Sequence, residues 1–176
     1  MGSLLRYKRR PPLLAWGLGL ALIGGLGCLN PLALPDAPVD REYADWNDSA
    51  VDWQPYEQGM AAAAKQGKPV VLIFYATWCP HCHNHSWLFH EPEVVEQSKS
   101  FVMIRIDGDI ETALSERYNL DGEYIPRTFF LSPGGEVYPD LVGTMADFRF
   151  FLDEYDPHEL LGLMERALAR SRSDAP

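Results

Sequence analysis

The stretch Thr77-Trp78-Cys79-Pro80-His81-Cys82, set directly behind the uncharged run Val70 to Ala76, restricts the folds open to this chain more than any other feature. Seven apolar and aromatic residues in a row suit a central strand covered on both faces, not the alternating pattern of a half-exposed one. Proline fits the first position of a helix, where its missing N–H has no partner to lose. Pro80 therefore opens a helix, and Cys79 becomes its N-cap. A sulfur in that place meets free backbone N–H groups and the positive end of the helix dipole, which both favour thiolate over thiol. His81 adds to the effect when it donates or carries charge. Cys82, three residues on, shares the helical face of Cys79 and is close enough to close a disulfide ring. The expected chemistry is attack by Cys79 as the exposed nucleophile and resolution of the mixed disulfide by a shielded Cys82. A passive disulfide or half of a zinc site are the competing readings of such a pair, and its position between a buried strand and a helix favours the reactive one.

Periodicity outlines the rest of the body. A helix is predicted over Pro55 to Gln66, with the helix-forming run Ala61 to Ala64 and a stop at Gly67. The active-site helix should run to about His90, and Phe101 to Ile106 should form a second buried strand. Ile110, Leu114 and Tyr118 fall on one helical face. Thr128 to Leu131 is predicted as a third strand, and Ser132 to Glu136 as a turn into a fourth, Val137 to Val142. Helical spacing recurs at Phe148, Phe151, Leu152 and Tyr155 and again at Leu160, Met164 and Leu168, with Asp156-Pro157 splitting the tail into two helices. The order is α/β, with a small mixed sheet flanked by helices.

Trp78-Cys79-Pro80-His81-Cys82 behind an apolar strand, with Ile125-Pro126 opening a later strand, resembles the thioredoxin superfamily over about Trp53 to Leu168. The resemblance implies a thioredoxin fold and a thiol:disulfide oxidoreductase. It also implies a cis proline at Pro126 facing the active cysteines, and a substrate-binding role for Ile125 and Pro126, the backbone of Ile125 pairing with the substrate chain. Trp78 is expected at the rim of the same site, while Tyr75 is read as structural. Phe101-Val102-Met103, Gly122-Glu123-Tyr124-Ile125-Pro126-Arg127 and Phe130-Leu131-Ser132-Pro133-Gly134-Gly135 are similar to the small thioredoxin-like proteins of the endoplasmic reticulum, including the anterior gradient group. Pro80-His81 instead resembles the periplasmic disulfide oxidases, which implies an oxidising bias. Those oxidases carry a helical domain before the cis proline, and here Cys82 and Pro126 are only 44 positions apart. Thioredoxins also place a buried acid six residues before the first active cysteine, where this chain has Ile73. Any base for Cys82 must therefore come from elsewhere or from water.

The N-terminus reads as an address. Arg6, Lys8, Arg9 and Arg10 precede an uncharged apolar run, Pro11 to Leu29, in the layout of a secretory signal. The run is barely long enough to cross a bilayer as an uncleaved anchor. Gly25-Leu26-Gly27-Cys28 resembles the lipobox of bacterial lipoproteins, which makes Cys28 a candidate lipidation site, although Gly25 stands where such motifs carry a larger aliphatic. A lipidated, an anchored and a simply cleaved product all remain open, and all three export the body to face a periplasm-like compartment, the first two tethered to the membrane. Residues 1–29 are thus signal or anchor, 30–52 a Pro-rich acidic linker, 53–171 the thioredoxin-like domain and 172–176 a tail.

The whole chain carries a formal charge of −10, and because no acid precedes Cys28, the remainder carries −14. An acidic body repels phosphate backbones, so nucleic acid is not an expected partner. Three cysteines exclude a disulfide-dense scaffold. His81, His83, His85 and His90 crowd the cysteines and raise a copper or zinc carrier as one alternative, a non-catalytic binding or chaperone module being the other. Of these, His83, His85 and His90 are expected to be surface or packing residues, with no metal and no cofactor. The expected partners are protein thiols and disulfides and a redox recycling partner that the sequence does not identify.

Overall fold

The computed structural model describes residues 44–174. Cys28 and the expected signal or anchor lie outside the described residues.

The expected run Val70 to Ala76 becomes β2 (Val70–Tyr75), the middle of a four-stranded mixed sheet of order β1-β3-β2-β4. β1 (Trp53–Gln54) and β2 both pair in parallel with β3 (Val102–Asp107), while β4 (Arg127–Leu131) runs antiparallel to β2. Side chains alternate across a strand, so β2 divides its residues between two cores. Val71 and Ile73 face a layer with Met103, Phe130, Phe89, Leu160 and Met164. Val70, Leu72 and Phe74 face Ile104, Phe129, Tyr118 and Phe150 on the other side. Both faces are covered, which is why the run has no polar interruption.

Helix α1 (Tyr56–Gln66) ends where expected: Gly67 takes a left-handed φ of 64° and donates its N–H to the Ala63 carbonyl. Gly59 within it has a separate reason to be small, since a Cβ there would lie 2.6 Å from Ile104 Cδ1. Beyond the cysteines come α2 (Pro80–Ser86), a 3₁₀ turn (Trp87–His90) and α3 (Pro92–Ser98). The helix α3 was not foreseen; Pro92 restarts the helix at its first position after the extended Glu91.

Four other expectations give way. Val137 to Val142 is not a strand but makes a single bridge, Leu131 to Val137, because Pro139 has no N–H for a ladder. Residues 148–155 are irregular instead of helical. Their backbone is used by the neighbours: Phe150 accepts from the Thr128 N–H at 2.8 Å and donates to the Tyr124 hydroxyl at 2.9 Å. Only the second half of the tail is helical, as α5 (Pro157–Ser173), with Asp156 accepting from the His158 N–H as its N-cap. Ile110 lies in the turn ahead of α4 (Thr112–Arg117) and is exposed, whereas Tyr118 is buried. Lastly, residues 44–52, read as the end of the linker, pack with the body through the buried Trp46 and Val51.

Candidate active site

Just past the C-terminal end of the inner strand β2 the chain turns, with the Cys79 N–H donating to the Ala76 carbonyl at 3.2 Å. Cys79 is the N-cap of α2 and Pro80 its first residue. The two sulfurs are unbridged. Cys79 Sγ accepts from the Cys82 backbone N–H at 3.2 Å and lies 3.8 Å from the Ile125 carbonyl, to which it donates as a thiol. An N–H aimed at a sulfur favours negative charge on it. Cys79 retains 3% of its surface and Cys82 none: both are buried, so Cys79 is not the exposed sulfur that was expected. Burial pushes the Cys82 thiol well above the usual range. The hydrogen bond with Cys79 and, further down, the Glu154 charge act in the same direction. Cys82 therefore needs a proton acceptor before it can attack.

The Ile125–Pro126 peptide is cis, as the family resemblance implied, and Ile125 packs against Ala76, Cys79 and Cys82. Arg127 behind it is almost fully buried. Its guanidinium donates to the Ser115, Tyr118 and Gly122 carbonyls and the Ser115 hydroxyl, and stacks 5.0 Å from Phe74. These bonds tie the end of α4 and its following loop to the cis-proline turn. On the other side of Ile125, a cleft of about 260 Å³ is lined by Tyr75, Trp78, Asp109 and Glu123 among others. Trp78 is 66% exposed and donates its indole N–H to Asp109 at 2.6 Å. Tyr75 is half-buried and packs on Trp46 while it also lines the cleft, so it is both structural and near the site.

The histidines separate. His81 is 62% exposed and donates from Nδ1 to the Glu154 carboxylate at 2.9 Å, with its ring edge-on to Phe151 at 5.6 Å. His83 donates to the Thr77 carbonyl, and His90 stacks on Trp87. His85 is fully buried, with Nε2 against the Thr128 hydroxyl at 3.1 Å and Nδ1 without a partner. Among the described residues, no three metal-ligating side chains come together. Asp109, Asn84 and Glu154 were missed by sequence reasoning. The only signal for the last of them was the missing acid at Ile73.

Burial lowers His85 to about 4. The folded state therefore holds this ring neutral while the unfolded chain binds a proton near pH 6.5, so stability is lost as pH falls between those two values. Urea unfolding should show a loss of roughly 3 kcal/mol from this group across that window, absent in His85→Leu.

A family model described as thioredoxin-like matches residues 52–133. Anterior gradient protein 2-B of Xenopus laevis is 27% identical over 131 residues, 73% of this chain and 77% of the relative. Anterior gradient protein 2 of Xenopus tropicalis is 29% identical over 125 residues, covering 70% of this chain and 74% of the relative. The human anterior gradient protein 2 homolog is 26% identical over 124 residues, covering 70% and 69%. Among solved structures, a thioredoxin from Thermus thermophilus superposes with a TM-score of 0.52 at 19% identity, over 69% of this chain and 90% of its own. A poplar thioredoxin h mutant does so at 0.51 and 20% identity, over 72% and 87%. At these identities the structures speak for the fold, which is that of thioredoxin, while in sequence the chain is similar to the anterior gradient proteins and, over residues 52–133, to the thioredoxin-like family model.

Proposed function

We propose that the protein is a thiol:disulfide oxidoreductase that exchanges with cysteines of exported polypeptides. The observation that carries this reading is the placement of Cys79, capping α2 with an N–H on its sulfur, directly against the Ile125 carbonyl and the cis-proline turn. A client strand laid along Ile125 would bring its own sulfur to Cys79, with Cys82 behind to resolve the bond. The decisive measurement is exchange between the purified chain and a peptide disulfide. Absence of exchange, together with tight copper or zinc binding through Cys79 and Cys82, would replace the reading with that of a metal carrier.

The direction we propose is oxidising relative to thioredoxin. A donor on the Cys79 sulfur stabilises the reduced form, which raises the potential. Equilibration with glutathione should give a value less negative than the roughly −270 mV of thioredoxin, and His81→Gly should move it back toward more negative values. A potential at or below thioredoxin's would reverse the direction while leaving exchange intact. Pro126→Ala should weaken client engagement or accumulate mixed disulfides.

We further propose export and membrane tethering through residues 1–29. Protease protection of intact cells against spheroplasts should show the body outside the cytoplasm, and a cytosolic soluble product would overturn this. Cys28→Ala should abolish lipid labelling if the segment is a lipoprotein signal and leave an uncleaved anchor in place.

A further inference from the structure

The position where thioredoxins hold a buried acid is occupied here by Ile73, which packs wholly in the apolar layer beneath β2. Yet the fold places a carboxylate against the active-site helix, from a segment remote in sequence. Glu154, in the irregular stretch ahead of α5, is only 8% exposed. Its two oxygens take the Nδ1–H of His81 at 2.9 and 3.2 Å and the amide of Asn84 at 3.0 Å, both donors from α2. A carboxylate accepts only, so it fixes Nδ1 of His81 as the donor and leaves Nε2 to exchange protons. Asn84 also donates to the Tyr155 hydroxyl at 2.9 Å.

We propose that Glu154 is the positioning residue of an acid–base couple with His81, which replaces the acid missing at position 73. The proposal rests on the exchange reading above. When a client is joined to Cys79, the Cys82 sulfur attacks the Cys79 sulfur as its proton leaves. The Cys79–Cys82 bond forms, the Cys79–client bond breaks, and the client sulfur departs as a thiolate that takes a proton. His81 Nε2 accepts the first proton, directly or through one water, and supplies the second. Glu154 holds the ring and balances its charge while it carries the proton. In the oxidising direction the same proton runs back to Cys82. The charged and titratable groups facing Glu154 are His81 and the Cys82 thiol on α2 and Asp153 and Tyr155 on its own segment. Of these, His81 alone can offer a cation to the carboxylate.

The test follows release of a fluorescent thiol from a preformed mixed disulfide on Cys79 of the full chain, between about pH 5 and 9. Glu154→Gln keeps the size and one acceptor but loses the charge. It should slow release about tenfold near pH 7, with the deficit narrowing as pH rises and solvent base takes over. Glu154→Asp should recover most of the rate. His81→Gln should reproduce the Glu154→Gln profile, and the double variant should be no slower than either single one. A Glu154→Gln profile superimposable on that of the parent, with only a lower melting temperature, would reduce Glu154 to a structural contact and overturn the proposal. If that variant folds poorly, a parent-like pH profile in His81→Gln overturns it equally. A parent chain that releases no thiol at any pH would instead overturn the exchange reading itself.

Discussion

Cys79→Ser is expected to abolish exchange with peptide disulfides, by roughly 10³-fold or more, as when an enzyme loses its nucleophile. The reason is chemical before it is structural. A serine at the N-cap would keep the cap, but its hydroxyl stays protonated at neutral pH where a thiol can ionise. Folding should therefore be unchanged in near-UV circular dichroism while turnover is lost. Cys82→Ser has a different expected result, since the first attack survives and only resolution fails. Mass spectrometry of non-reduced samples should show the client held on Cys79. If Cys82→Ser abolished adduct formation and Cys79→Ser did not, the two roles would be interchanged.

Arg127→Ala should produce the largest loss of stability among single substitutions near the site. The side chain supplies the donors for three backbone carbonyls and one hydroxyl, and buried acceptors left unpaired cost about 1–3 kcal/mol each. Some of them will find water in the space left behind, so a net loss of about 4 kcal/mol is expected, visible as a fall in the urea midpoint. Because those bonds hold the loop ahead of Ile125–Pro126, the folded fraction should also bind clients less well. Arg127→Lys should recover only part of the loss, as one ammonium cannot reach acceptors spread over Ser115, Tyr118 and Gly122. A variant as stable as the parent would show that the loop is held by other contacts.

Much of this architecture was readable from residue order. β2 announces itself because a strand buried on both faces tolerates no polar residue, and α1 because Gly67 ends it by a mechanism specific to glycine. The strand-to-helix junction at Cys79 followed from Pro80 in the same way. What escaped was set by distant partners. The spacing of Phe148, Phe151 and Leu152 is helical, but the three go to separate neighbours: Phe148 lies on Tyr124, Phe151 on His81, and Leu152 in the core. β1 has only two residues and no periodicity to detect. Glu154 is one acid among many in an acidic chain, and its meaning depends on α2 residues 70 or more positions away.

The stretch 136–150, in which the strand expected over Val137 to Val142 did not form, has a consequence for the margin of the sheet. The Thr128 N–H donates to Phe150, the Phe130 carbonyl accepts from Tyr138, and the Ser132 N–H donates to Glu136. Two outward backbone groups of β4 and the Ser132 N–H just beyond it are thereby occupied by irregular chain. On the opposite side, β1 offers only two residues. Unfolded polypeptides are rich in segments that add to free sheet edges and seed fibrous aggregates. Among the described residues, neither margin of the sheet therefore offers such segments a long regular template.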